Sequence, residues 1–370
     1  MKVKLLVVCL IVVLIFGGVA PTRVIAQKEV KGIPPTWTQV NTDGFGEFYD
    51  AQIPSLAVFG RYLYAGTWGA EEDGLGGYYY TAQIWRTEDA ENWVKVFDVD
   101  ENGAAALVVF KDYLYCGSWG PKIWRSRDGV NWEEVVSDGV GVARMAVFGN
   151  TLYASTWGGK IGTEIWKTTN GTDWVQMDAP GLSDDPNNNG AIASEIFKGS
   201  LYWGVLNYAT GAQLWKTDGK KLMPVFTDGF GTPDNGEISS LSRFGNYLYA
   251  GVGSPSGSAI WRSADGKNWS RVFVSDPGFI GSHSALEVFH EQLYVVLQNY
   301  ASGVEVYRTA NGTDWEQVGF DGFGDVNNVE PYWDNGMTVF RDRLYVGITN
   351  WWSSGEVWEM CIDKGKSNCK

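Results

Sequence analysis

Leu114-Tyr-Cys-Gly-Ser-Trp-Gly-Pro-Lys-Ile-Trp-Arg-Ser-Arg-Asp-Gly-Val-Asn-Trp-Glu-Glu-Val135 contains three short apolar runs rich in aromatic and β-branched residues. They are separated by Ser-Trp-Gly-Pro and Ser-Arg-Asp-Gly, both turn compositions, so the stretch predicts three antiparallel strands. The run Ala106–Phe110, joined through Lys111–Tyr113, adds a fourth, giving a meander of strands A, B, C and D. The Leu-Tyr pair that marks strand B recurs at Leu63-Tyr64, Leu114-Tyr115, Leu152-Tyr153, Leu201-Tyr202, Leu248-Tyr249, Leu293-Tyr294 and Leu344-Tyr345. Seven copies spaced by 38 to 51 residues match the period of a four-stranded propeller blade. One such sheet cannot bury both of its faces, whereas seven packed radially can. The expected fold is all-β, a seven-bladed β-propeller of four-stranded antiparallel blades.

Residues 1–26 carry lysines at 2 and 4, an apolar run from Leu5 to Ala20, and Val24-Ile25-Ala26 before Gln27. That is the plan of a secretory signal peptide. The run is shorter than the roughly 20 residues that span a bilayer, so cleavage after Ala26 is expected, with no membrane insertion afterwards and an extracellular or cell-surface location. Cys9 follows Val8 rather than a small residue, which argues against a lipoprotein signal. The formal charge is −14, and −17 without Lys2, Lys4 and Arg23. So acidic a chain is a poor partner for nucleic acid or anionic membranes. Cys116 takes a strand B position held elsewhere by Ala65, Ala154 or Val346 and reads as core. Cys361 and Cys369 stand in the tail (361–370), where an exported chain can join them in a disulfide.

Residues 27–35, with Gly32, Pro34 and Pro35, read as a linker. Thr36-Trp-Thr-Gln-Val40 then reads as a strand without a blade, most like strand D segments such as Trp174–Met177 and Trp315–Val318. The last blade, Met337–Phe340, Leu344–Ile348 and Glu356–Met360, lacks a strand D. The N-terminal strand is therefore expected to complete that blade and close the ring, removing two open sheet edges. Residues 36–360 then form one propeller domain, expected to be a monomer.

A second motif recurs between strands C and D: Thr87-x-Asp89-x-x-x-Trp93, Ser126-x-Asp128-Gly-x-x-Trp132, Thr168-x-Asn170-Gly-x-x-Trp174, Ser263-x-Asp265-Gly-x-x-Trp269 and Thr309-x-Asn311-Gly-x-x-Trp315. Asp or Asn can accept from backbone N–H groups just ahead, Gly supplies positive φ, and the hydroxyl adds a cap. The Trp then reads as a core anchor. The motif resembles the Asp-box, or BNR, repeat of sialidases, xyloglucan-active glycoside hydrolases and non-enzymatic propellers, with one residue fewer between Asp and Trp. Blade four keeps only Thr217-Asp218-Gly219. A sialidase of that family would carry an arginine triad, whereas most arginines here repeat along strand C at Arg86, Arg125, Arg262 and Arg308, and the Arg-Ile-Pro signature is absent. The resemblance thus implies a non-sialidase member. Sequons at Asn170, Asn268 and Asn311 fall inside these motifs and read as turn chemistry.

A meander puts turns A–B and C–D on one face and loops B–C and D–A on the other. The second face carries the length variation, where function on a rigid scaffold is expected. Its aromatic candidates are Trp68, Trp119, Trp157, Tyr208, Tyr300, Trp351 and Trp352, set among Asn, Ser and Thr in a way that suits stacking on sugar rings. Packing between blades is the alternative, above all for Trp68, Trp119 and Trp157, which follow strand B closely. Asp98-x-Asp100-x-Asn102-Gly103 and Asp185-x-Asn187-x-Asn189-Gly190 match the first half of a calcium loop, without the distal Glu; calcium is the one candidate cofactor, and ordinary turns are the alternative. Glu47, Asp50, Asp234, Glu237, Glu330 and Asp334 also fall in loops of this face, but spacing singles out no catalytic pair. His290 is expected in a tight A–B turn and His283 near the channel. The reading is a non-catalytic, exported propeller that binds a surface glycan. A glycoside hydrolase of the same fold and a cell-surface protein-binding scaffold are the alternatives.

Overall fold

The computed structural model describes residues 35–47, 50–72, 78–139, 141–177, 182, 184–255, 257–275 and 283–362. The expected signal peptide, all of the linker but Pro35, and Cys369 lie outside them. Six consecutive four-stranded sheets run in the order A-B-C-D. Blade two, for example, is Ala104–Phe110, Tyr113–Ser118, Ile123–Ser126 and Trp132–Val136. In the last sheet Thr36–Gln39 pairs antiparallel with Glu356–Cys361, Trp37 opposite Met360, so the N-terminal strand is strand D of blade seven and closes the ring. Cys361 is disulfide-bonded.

The Leu-Tyr marker explains why the blades stack. Neighbouring residues of a strand point to opposite faces of the sheet, so Leu and Tyr serve different seams. Tyr64 packs with Leu114, Tyr115 with Leu152, Tyr153 with Leu201, Tyr202 with Leu248, Tyr249 with Leu293, Tyr294 with Leu344, and Tyr345 with Leu63. The core is thus a ring of seam clusters, each joining a tyrosine to the leucine of the next blade. Cys116 is wholly buried in one of them, and burial pushes its thiol pKa far up.

The hydroxyls of Tyr64, Tyr115, Tyr202 and Tyr249 end against the C–D turn glycine of the following blade. A Cβ on Gly129 would lie 1.8 Å from Tyr64 Oη, on Gly171 1.8 Å from Tyr115 Oη, and on Gly312 1.7 Å from Tyr249 Oη. The glycine therefore serves a close approach as well as a positive φ. In the turn, Asp128 Oδ1 accepts from the N–H groups of Val130 and Asn131, and Ser126 Oγ accepts from Gly129 N–H. Asn131 Nδ2 donates to Asp128 Oδ2, and the same pairing joins Asn92 to Asp89 and Asn268 to Asp265. Blades three and six exchange the two residue types: Asn170 Nδ2 donates to Asp173, and Asn311 Nδ2 to Asp314. The amide nitrogens of all three sequons are thus engaged within the turns. The tryptophans Trp93, Trp132, Trp174, Trp269 and Trp315 are half-buried beside the seams rather than in the core, because strand D is the outermost of each blade.

Two features depart from the expected meander. Trp68 to Tyr80 is not a plain loop: strands Tyr62–Glu72 and Tyr78–Thr87 continue pairing, Ala70 opposite Tyr80 and Glu72 opposite Tyr78, as an extended hairpin on the loop-rich face. The run of three tyrosines and a threonine suits strand. The inner strand of blade seven is also split. Asn328–Pro331 and Met337–Phe340 both pair with Arg343–Asn350, while Tyr332–Gly336 leaves the sheet, with a short 3-10 turn at Trp333–Asn335.

Candidate functional site

The segment that leaves blade seven fills the axis of the ring. Tyr332 and Trp333 are buried with Ala143, Ile192 and Leu206 and pack against Trp119 and Trp157. Ala143 and Ile192 sit at β-bulges of the inner strands of blades three and four, and a bulge is a device that re-aims a side chain. Asp334 locks the plug: Oδ2 accepts from Ser194 N–H at 3.0 Å, Oδ1 from Leu241 N–H at 3.3 Å, and Arg144 Nη2 ion-pairs with it at 2.9 Å. Burial raises the Asp334 pKa, and Arg144 pulls it back only in part. The plug also holds Trp333 at a φ of +39°.

Above the plug, three blades contribute one polar cluster. Glu237 begins the inner strand of blade five, His283 precedes that of blade six, and Glu330 lies in the inner strand of blade seven. His283 Nδ1 is 3.1 Å from Glu330 Oε2, and Nε2 is 3.8 Å from Glu237 Oε1. Burial opposes the imidazolium, but Glu237 and then Glu330 outweigh it and raise the His283 pKa. Trp333 Nε1 donates to Glu237 Oε1 at 2.9 Å. Tyr208 Oη donates to Glu237 at 3.0 Å and Tyr300 Oη to Glu330 at 3.1 Å; Gln298 Nε2 also donates to Glu330. Both imidazole nitrogens face carboxylates. The cluster holds two buried acids against matched donors.

One local device places the exposed rings. Asn207 Oδ1 accepts from the N–H groups of Ala209 and Thr210, Asn299 Oδ1 from Ala301 and Ser302, and Asn350 Oδ1 from Trp352 and Ser353. Each is a one-turn Asn-capped loop, closed four residues on by a positive-φ residue, Gly211, Gly303 or Ser354, whose N–H returns to the Asn carbonyl. The aromatic after each Asn, Tyr208, Tyr300 or Trp351, is thereby pushed outward. They are 63%, 50% and 45% exposed, and Trp352 is 66% exposed. Trp68 stacks on Tyr80 at 5.9 Å, contacts Trp351 at 5.8 Å and Trp119 at 6.0 Å; Trp119 meets Tyr332 at 5.1 Å, and Trp157 meets Trp333 at 5.1 Å. Trp68, Trp119 and Trp157 thus pack as half-buried parts of one aromatic arc that leads from the hairpin to the plug.

Other sequence candidates are held by protein partners. Asp98 pairs with Lys95 at 2.7 Å, and Asp98 and Asp100 lie within strand Trp93–Asp100 rather than in a loop; Asn102 Oδ1 accepts from Trp68 Nε1 at 2.7 Å. Asp185 receives Asn187, Asn207 and Gln213; Asn189 stands in the same loop. Among the described residues no three His, Cys, Asp or Glu side chains are grouped to hold one metal ion. Of the loop acids, Glu237 and Glu330 meet at His283, Asp334 is in the plug, Glu47 pairs with Lys95 at 3.1 Å, Asp50 is buried and Asp234 is exposed. His290 lies in a tight turn, as expected, 3.0 Å from Asp342. The plug was invisible in sequence; its only signal was surplus length before Met337.

The fold and this face define a seven-bladed β-propeller with a plugged axis and an aromatic, acidic mouth. No protein-family model matches the chain, and a search of curated proteins finds no significant match. Similar solved structures are propellers. Virginiamycin B lyase from Staphylococcus aureus has a TM-score of 0.63 at 11% identity, covering 89% of this chain and 100% of that one. The RRP9 WD40 repeats reach 0.57 at 12%, covering 90% and 99%. YCF48 from Cyanidioschyzon merolae reaches 0.54 at 13%, covering 87% and 98%. At such identities the likeness is one of fold.

Proposed function

We propose that this chain is an exported, Asp-box-like propeller that binds a glycan on its loop-rich face without catalysing a reaction. The observation that carries the reading is the set of exposed rings, Tyr208, Tyr300, Trp351 and Trp352, each held outward by an Asn-capped loop around a polar floor. An aromatic face laid on a sugar ring buries apolar C–H surface, while Thr210 and Ser302 of the same loops bond to the hydroxyls. A specific feature favours a glycoside hydrolase as the second reading: Glu237 and Glu330 converge on one imidazole. Against it, Glu237 already accepts from Tyr208 and Trp333, and Glu330 from Tyr300 and Gln298, with His283 Nδ1 within hydrogen-bond distance of Glu330.

Trp352→Ala is the direct test, because a ring so exposed can be removed with little change in Tm. We expect glycan affinity, measured by calorimetry after an array screen, to fall at least about tenfold, or ~1.4 kcal/mol. Unchanged affinity would remove the aromatic face from the mechanism. Turnover of a polysaccharide by the parent and not by Glu330→Gln, with binding kept, would move the assignment to a hydrolase.

A further inference from the structure

We infer that the ligand is a linear polysaccharide chain free of carboxylate and sulfate groups, laid across the face rather than inserted end-on into the ring. The inference rests on the glycan reading and adds the class of glycan.

Three observations lead there. The axis, where a propeller could enclose a single terminal sugar, is filled by Tyr332, Trp333 and Asp334, and the plug is fastened to blades three, four and five through Arg144, Ser194 and Leu241. A ligand at this mouth therefore meets a floor. The exposed rings, second, stand on opposite sides of that floor. Trp351, Trp352 and Tyr80 belong to blades seven and one, Tyr208 to blade four and Tyr300 to blade six. In a ring of seven, blade four lies across the axis from the seam between blades seven and one. A monosaccharide can touch one side only; a chain that crosses the mouth touches both. Between them runs the arc of Trp68, Trp119, Tyr332 and Trp333, with centroid steps of 4.3 to 6.0 Å, and Glu237, which accepts from both Trp333 and Tyr208, joins its end to blade four.

Charge, third, selects the chain. The floor holds two carboxylates and one imidazole, Glu237, Glu330 and His283, and Asp185, Glu305 and Asp325 add acids at the bases of the surrounding loops. Of the lysines on the same face, Lys122 is spent on Glu101 and Glu134, and the exposed Lys160 is outnumbered by these acids. Uronate or sulfated polymers would bring like charge to this surface, which costs affinity and slows encounter. Neutral or amine-bearing chains would not.

The test is a calorimetric titration of the full chain with oligosaccharide ladders, from one to six sugars, of cello-, xylo-, manno-, chito- and chitosan type, beside alginate and pectin oligomers. We expect affinity to rise at least about tenfold between dimer and hexamer in one neutral or amine-bearing series. Trp352→Ala and Tyr208→Ala, on opposite sides of the plug, should each weaken the hexamer. Binding without dependence on length, or binding of alginate or pectin in preference, would overturn this inference and leave the glycan reading standing. Loss of hexamer affinity in one variant only would overturn the crossing geometry. If no ladder binds, both readings fall.

Discussion

At Asp50 a single atom type sets a pH response. Four D–A loops share one backbone geometry: the N–H of Asp50, Asn188, Asn235 and Asn328 donates to the carbonyl three residues back, and the carbonyl accepts from Gly355, Thr163, Ala212 and Val304. Two of the asparagines donate their side-chain amide to a turn glycine carbonyl, Asn235 to Gly229 and Asn328 to Gly322. A carboxylate has no proton to donate. Asp50 is 1% exposed, and its Oδ2 has no hydrogen-bond partner. Burial raises its pKa to about 7; Thr67 and Thr81 oppose the shift, Glu47 adds to it and Lys95 opposes it. Because the folded pKa lies above the unfolded one, near 3.8, this group stabilises least once the pH has passed 7. The shift corresponds to a loss of up to about 4 kcal/mol at neutral pH. Asp50→Asn should raise Tm at pH 7.5 and leave it nearly unchanged at pH 4. Thermal melts at the two pH values check this, and an equal change at both would separate the residue from any titration.

The closing strand, Thr36–Gln39, is the element on which the ring depends. It contributes one buried ring, Trp37, which packs on Phe323 at a centroid distance of 4.9 Å within the seam between blades six and seven. Its neighbours Thr38 and Gln39 complete the ladder opposite Glu359 and Trp358. Trp37→Ala should cost roughly 3 to 5 kcal/mol, as truncation of a buried aromatic does, and should lower the midpoint of urea unfolding. A midpoint equal to the parent's would show that the seam does not need the ring. The Asn-capped loops are elements of the same kind. Asn, an aromatic, two further residues and then a positive-φ residue suffice to set the loop and the direction of its ring.

For the whole molecule, two sets of carboxyl groups act in opposite senses. Asp50 and Glu287, both raised to about 7 chiefly by burial, stabilise fully below their unfolded pKa values and lose that contribution as the pH rises through the folded ones. His283, raised by Glu237 and Glu330 over opposing burial, likewise loses its contribution as the pH rises through its folded pKa. Asp89, Asp128 and Asp265 are lowered, first by backbone N–H bonds in the C–D turns, so their contribution is present above about pH 4 and fades below it. Stability should therefore peak near about pH 5 and decline toward pH 8. Differential scanning across pH 3 to 9 reads this directly, and a Tm rising monotonically from pH 5 to 8 would refute it.

The blade count, the C–D turns and ring closure were legible in the chain because each depends on neighbours in sequence or on a repeat. Leu114-Tyr115 reports a seam wherever it recurs, Asp128-Gly129 reports a turn within four residues, and Thr36–Val40 announced itself as a strand D missing from blade seven. The exposure of Tyr208, Tyr300, Trp351 and Trp352 in their loops was legible for the same local reason. The plug and the cluster of Glu237, His283 and Glu330 were not. They join blades whose inner strands meet only because seven sheets are packed around one axis: Asp334 lies 140 residues from Ser194, and Trp333 lies 96 from Glu237. Local composition encodes strands and turns, but radial packing alone decides which inner-strand ends face each other, and so only the tertiary structure could show that the mouth has a floor.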